Sequence, residues 1–127
     1  MKKDFWPPLA VLALLLAFSL WNSAVISTDT ARWQAQLRQS DALAQAGDWP
    51  AAVSVLTDSY RDWTQRQGYL HIVTQHDAVD DAEAMYRRSQ AFAAAREPSE
   101  LQAELSDLRD QMRLLAEMEK CSIRNIL

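Results

Sequence analysis

The pattern of apolar positions begins with one unbroken stretch near the amino terminus. No charged residue occurs between positions 4 and 29, and residues 9–20 are apolar except for Ser19. As a helix, the 22 residues of 5–26 would span about 33 Å, enough to cross a bilayer core about 30 Å thick. The pattern therefore predicts a transmembrane helix over residues 5–26 that contacts membrane lipid.

The flanks of this stretch support the membrane interpretation and predict its orientation. Trp6 and Trp21 stand near its ends, where indole rings suit the headgroup regions. Lys2 and Lys3 precede it, and lysines favour the cytoplasmic side. We therefore expect a single-pass protein of the cell membrane, with a cytoplasmic amino terminus and an extracytoplasmic domain over residues 27–127.

A cleaved secretory signal is the alternative interpretation of the same stretch. Two lysines, a short apolar run and the sequence Val25-Ile26-Ser27 satisfy a loose test for one. Trp21 and Asn22 fit a cleavage region of small residues poorly, which favours an uncleaved anchor. Both interpretations place residues 27–127 outside the cytoplasm.

Beyond the anchor, apolar residues recur at helical spacing. The first stretch is predicted to run from Asp29 or Thr30 to Ala46, because Gly47 follows as a terminator. Asp48 is then the predicted N-cap of a second helix that has Pro50 in its first turn. The apolar face of this second helix comprises Trp49, Val53, Leu56, Tyr60 and Trp63.

Two further stretches complete the predicted all-α fold. Gly68 weakens the second helix without necessarily stopping it, and the break at residues 97–99 separates the third stretch from the fourth. We expect these two stretches to form an antiparallel hairpin, covered by the first two in a helical bundle. A coiled-coil homodimer through the fourth stripe stays open as an alternative. The third stripe comprises Tyr69, Ile72, His76, Val79 and Tyr86, and the fourth comprises Leu101, Leu105, Leu108, Met112 and Leu115.

Charge narrows the classes of partner. Residues 27–127 contain 11 basic and 16 acidic side chains, a formal net charge of −5. This excess disfavours nucleic acid and anionic lipid headgroups as ligands, since both require a basic surface.

The single cysteine, Cys121, cannot close an internal disulfide. It could cross-link two chains in an oxidising compartment, or it is a small buried residue.

The densest polar cluster surrounds His76. His76, Asp80 and Glu83 share one helical face and could hold a divalent cation. Helical two-metal sites use repeated Glu-x-x-His pairs, however, and neither histidine has a glutamate three residues before it. We therefore predict no metal and no cofactor. In the simplest interpretation His76 packs on the apolar stripe; a protonation switch is the other alternative. His71, five residues earlier, is expected on a different face.

No serine, threonine or lysine stands in a context that marks a nucleophile with its base, so we expect no enzyme activity. The predicted function is a helical protein-interaction module, and the alternative is a cation- or pH-responsive sensor. Trp33 is most simply a core residue, although an exposed Trp33 would be a candidate for binding a partner. Ile126 and Leu127 are a candidate docking tail, or they fold back onto the bundle.

Two resemblances concern the fold. Residues 42–56 resemble one turn of a tetratricopeptide repeat, but the pattern occurs once, so a peptide-binding superhelix is not expected. The whole chain resembles the bacterial domain-of-unknown-function family 4363. The resemblance rests on the amino-terminal membrane helix, Gly47-Asp48-Trp49-x-x-Ala52, Trp63 ahead of His76-Asp77-x-x-Asp80, and the closing Ile123-Arg124-Asn125-Ile126-Leu127.

Membership of that family implies a small, single-pass, helical protein without an established activity. After His76 this chain has Asp-Ala-Val-Asp, where the family tends to show an acidic residue followed by Ile-Asp. The role of the acidic cluster therefore stays open.

Overall fold

Helices form almost the whole described backbone. The computed structural model describes the backbone of residues 2–74 and 76–126 and the side chains of residues 6–72, 74 and 76–121. Within these residues the chain forms four α-helices, which confirms the predicted all-α class. They are α1 (Lys2–Gln45), α2 (Trp49–Val73), α3 (His76–Ala94) and α4 (Pro98–Ile126).

The four helices form a bundle in which α1 packs against α2 and α4, and α3 packs against the same two helices. The short connections make successive helices antiparallel. The predicted hairpin of the last two helices is present, and the first two cover it. The predicted fourth stripe is fully buried, so α4 finds its partner helices within this chain. The stripe consists of Leu101, Leu105, Leu108, Met112 and Leu115.

α1 differs from the prediction because it is one continuous helix. We expected a new helix at Asp29 or Thr30, but the apolar amino-terminal stretch and the first bundle helix are joined without a break. Pro7 and Pro8 lie inside the first turns, where a proline interrupts few backbone hydrogen bonds. The contact with the bundle begins before residue 27, since Asn22 is 7% exposed and Ile26 is fully buried.

The boundary between α2 and α3 was predicted wrongly. The third stripe was expected to begin at Tyr69, but Tyr69 and Ile72 belong to α2, which continues through Gly68 to Val73. Thr74 ends the helix in an extended conformation, and its backbone N–H and hydroxyl both donate to the Leu70 carbonyl. Local bonds of this kind compete with the helical pattern.

The predicted turn between α1 and α2 is confirmed. The Asp48 side chain accepts a hydrogen bond from the Ala51 N–H at 3.3 Å, as an N-cap does. Gly47 has a positive φ of 84°, and the Asp48 N–H donates to the Leu43 carbonyl in the six-to-one bond of a Schellman motif. The sequence therefore determined this connection locally.

Candidate functional site

A layer of aromatic and charged side chains crosses the middle of the bundle. On one side, Glu83 of α3 accepts hydrogen bonds from the Tyr60 hydroxyl at 2.6 Å, the Trp63 indole at 3.1 Å and Arg87 at 3.1 Å. The bond to Glu83 is the main cause that raises the pKa of Tyr60, because the carboxylate favours the protonated phenol. The Glu83 carboxylate thus bonds to side chains of α2. It does not face His76 together with Asp80, as a cation site would require.

The other side of this layer is an ion-pair chain between α1 and α2. The Asp62 carboxylate accepts hydrogen bonds from Arg32 at 2.6 Å and from the Trp33 indole at 3.0 Å. Arg32 also pairs with Asp29 at 3.0 Å, and Arg66 reaches Asp29 at 3.3 Å. The Asp29 side chain is only 5% exposed, so its charge requires these partners. The hydrogen bond to Asp62 is the first cause that raises the pKa of Arg32.

The two sides meet at a stack of aromatic rings. Trp33 and Trp63 are fully buried and lie edge to face, with centroids 5.2 Å apart, and Tyr86 packs against Trp63 at 5.7 Å. The Tyr86 hydroxyl shares a 2.8 Å hydrogen bond with Ser59, and burial raises the pKa of this phenol. Trp33 is therefore a core residue, and its indole is not available to a partner in this conformation.

Sequence reasoning identified the aromatic members of this layer and missed their polar partners. Two spacings within single helices indicate ion pairs of this layer: Asp29 with Arg32, three residues apart, and Glu83 with Arg87, four residues apart. The contacts of Asp62 with α1 and of Glu83 with Tyr60 and Trp63 gave no such indication, because these donors come from other helices. The side chains of the layer bond to one another, an arrangement that fixes the register of α1, α2 and α3.

The histidines meet at the junction between α2 and α3. The Nδ1 atoms of His71 and His76 are 2.9 Å apart, and the rings are stacked with centroids 5.0 Å apart. His71 Nε2 lies 3.8 Å from Asp80. Two predictions are wrong here: His76 is exposed rather than packed on the apolar stripe, and His71 joins it. The break at Thr74 changes the geometry that a continuous helix would have given.

These groups do not converge on one point. Among the described residues, no group of three His, Cys, Asp or Glu side chains is arranged to hold a metal ion. The candidate set of His76, Asp80 and Glu83 is accordingly not assembled, and the expectation of no metal stays a prediction. The two imidazoles instead contact each other at the junction, and Asp80 is 3.8 Å from His71 alone.

The first half of α1 is the main exposed apolar surface. One helix of the described chain, α1, is long and apolar enough to cross a membrane, with a mean hydropathy of 2.2 over its most apolar window. We call residues 6–21 the exposed segment; Leu14 in it is 70% exposed and Trp21 68%. A shallow groove of about 600 Å³ on this segment is lined by Val11, Leu14, Leu15, Ala17, Phe18 and Trp21.

The remaining candidates lie at the end of α4. Cys121 is exposed and is a free thiol, so it is not the buried residue that one interpretation expected. The backbone of α4 continues to Ile126, so this residue lies within the last helix rather than beyond it. Leu127 lies outside the described residues, as does the side chain of Ile126, so the docking tail stays a prediction.

Comparison with known proteins identifies the chain at the level of a family. No curated protein matches its sequence, and no solved structure matches it. Residues 20–126 match the model of the family described as domain of unknown function (DUF4363). The match begins where α1 enters the bundle and ends with α4, so it covers the whole helical bundle. The chain therefore belongs to the DUF4363 family, as its resemblance to that family predicted.

Proposed function

We propose that this protein is a non-enzymatic, membrane-anchored helical module that binds another protein of the bacterial envelope or membrane. The carrying observation is the continuity of α1, which joins the exposed segment to the bundle without a flexible linker. The exposed segment, about 24 Å long as a helix, has no cover from the bundle over most of its surface. Such an apolar surface favours lipid or another membrane helix as its surroundings.

The orientation of the chain in the membrane is inferred from the positions of its charged residues. Lys2 and Lys3 stay on the cytoplasmic side, and the bundle lies on the outer side. With a net charge of −5, residues 27–127 favour a partner with a basic surface over nucleic acid. The charged layer within the bundle is occupied by its own contacts, which leaves the outer faces and the exposed segment for partner binding.

Topology reporters test the anchor and its orientation. Alkaline phosphatase fused after Leu127 is expected to be active, a fluorescent protein fused there is expected to be dark, and the chain should resist alkaline carbonate extraction. The matched variants Leu15→Arg and Leu15→Ala separate loss of membrane retention from a general effect of substitution, because Arg is costly at the bilayer centre. A carbonate-soluble chain that has lost its first two dozen residues would contradict the anchor.

Partner binding is tested by capture of the tagged full chain from gently solubilised membranes. We expect one reproducible membrane or envelope protein, whose recovery falls when acidic surface residues such as Asp77 and Asp107 are changed to asparagine. Absence of any reproducible partner under these conditions would count against the interaction module.

A pH-responsive sensor is the second candidate, and the contact between His71 and His76 favours it. Two imidazoles 2.9 Å apart can share one proton, but two protons would place like charges side by side. Acidification should therefore loosen the α2–α3 junction. Flat stability of the full chain between pH 5 and 8, together with no Zn²⁺, Mn²⁺ or Ca²⁺ binding by calorimetry, would remove this candidate. The control is the double variant His71→Gln, His76→Gln.

A further inference from the structure

The α2–α3 junction lies at the end of the bundle from which the exposed segment protrudes. α2 runs antiparallel to α1, and the Tyr69 hydroxyl donates to the side-chain oxygen of Asn22. Ile72 lies three residues further along α2, about 4.5 Å nearer the exposed segment. This places Ile72 beside the level of Trp21, the tryptophan expected in the outer headgroup region.

Ile72 is more exposed than the other large apolar side chains that the structure describes in the bundle. Among the described residues, twelve large apolar side chains are exposed, and nine of them belong to the exposed segment. Of the other three, Val53 and Leu114 are 39% and 45% exposed, whereas Ile72 is 83% exposed. Among the side chains that the structure describes, the most exposed aliphatic one of the bundle thus lies at its membrane-facing end.

The carboxyl end of α4 also reaches the level of Trp21, measured along the axis of α1. The Gln45 side chain donates to the Pro98 carbonyl at 3.1 Å, which aligns the start of α4 with the end of α1. The α4 backbone then runs antiparallel for 29 residues to Ile126. At the same rise per residue, this brings its end past the level of Trp21. The membrane-facing end of the bundle therefore extends to the level of the last residues of the exposed segment, next to Trp21.

We propose that the α2–α3 junction is a second membrane contact, in which Ile72 inserts into the headgroup region of the bilayer beside Trp21. This inference rests on the membrane anchor of the proposed function. Asp77 and Asp80 are exposed near the junction, so the contact is apolar and does not depend on anionic lipid. Two contacts, at α1 and at the junction, hold the bundle at a fixed tilt to the membrane plane.

Spin labels on the full chain in phosphatidylcholine vesicles test the contact. In a Cys121→Ser background, single cysteines replace Leu15, Ile72 or Val53 and carry the spin label. At each position, the collision rate of the label with oxygen is compared with its collision rate with a water-soluble nickel complex, which is present on both sides of the vesicle membrane. Val53 is the matched control, because it is an exposed aliphatic residue on the same helix about 28 Å away. We expect oxygen to dominate at positions 15 and 72 and nickel to dominate at position 53.

The three positions separate the outcomes. Lipid-type accessibility at position 15 with water-type accessibility at position 72 would overturn the second contact and leave the anchor intact. Water-type accessibility at position 15 would instead overturn the anchor. Dipolar broadening between labels at position 72 would show that a second copy of the chain covers Ile72, and it would also overturn the lipid contact. Because Ile72 is 83% exposed, the cysteine variant is expected to fold, and its circular dichroism checks this.

Discussion

At the scale of single residues, the bundle places charges beside large aromatic rings. Asp62 and Glu83 each accept an indole N–H as well as an arginine hydrogen bond. A buried indole N–H needs an acceptor, and a carboxylate removed from water needs donors. The hydrogen bond between them therefore satisfies both groups. These pairs specify which helix faces which, since an apolar contact would tolerate a shifted register.

The first prediction concerns Glu83. Glu83→Gln keeps the shape of the side chain but replaces one acceptor by an NH₂ group, which then opposes the Tyr60 hydroxyl or the Trp63 indole. The Glu83 side chain is 15% exposed, and we expect the free energy of unfolding to fall by about 1–3 kcal/mol. Urea unfolding of the full chain in detergent micelles measures this change in the free energy of unfolding. The control Glu117→Gln, at an exposed position, should have little effect.

The second prediction concerns alkaline pH. Burial raises the pKa of Tyr86 above the ordinary value of about 10, so the unfolded chain releases this proton at lower pH than the folded chain. The contribution of Tyr86 to stability is therefore complete below about pH 10 and is lost as pH rises through the folded pKa. Tyr86→Phe should lose stability less steeply over this range. Ser59→Ala breaks the same hydrogen bond but keeps the phenol, so an equally shallow decline in Ser59→Ala would contradict the assignment.

At the scale of elements, α1 and α3 end in the same way with different residues. Both helices close with the paired hydrogen bonds of a Schellman motif, and the left-handed position is Gly47 after α1 and Arg96 after α3, with φ of 84° and 54°. Only glycine takes this conformation without strain. The end of α3 was recognisable from Pro98, whereas the end of α2 at Thr74 had neither glycine nor proline to mark it.

Replacing each of the two glycines by alanine is expected to change the stability in opposite directions. At neither position would a Cβ atom meet another atom within 4 Å, so backbone conformation decides the outcome. Gly47→Ala should destabilise the bundle by about 1–2 kcal/mol, because φ is positive there. Gly68→Ala, inside α2, should stabilise it by about 0.5–1 kcal/mol. Shifts of the urea midpoint in the same direction for both variants would refute this explanation.

At the scale of the whole molecule, one helix contains both the exposed segment and part of the core. The exposed segment belongs to the same helix as Ile26, Trp33 and Leu37, which are fully buried. The predicted boundary after residue 26 therefore falls inside the packed part of α1. Any tilt of the exposed segment is transmitted to the bundle, because no loop separates them.

A matched pair of substitutions tests this division of α1. Ile26→Ala should lower the free energy of unfolding by about 2–5 kcal/mol, as the loss of a fully buried aliphatic side chain does. Leu15→Ala should leave it unchanged in micelles, because Leu15 is 59% exposed and faces detergent. Unfolding followed by tryptophan fluorescence compares the two variants. An unchanged midpoint for Ile26→Ala would show that the bundle begins further along the chain.

The sequence by itself determined the features that depend on neighbours along the chain. The Asp48 cap, the turn at Gly47, the buried stripe of α4 and the apolar amino-terminal stretch all follow from local spacing and from residue type. The tertiary structure alone decided that Glu83 bonds Tyr60 and that His71 meets His76. Those contacts join residues on different helices, and their geometry depends on how α2 and α3 pack after the break at Thr74.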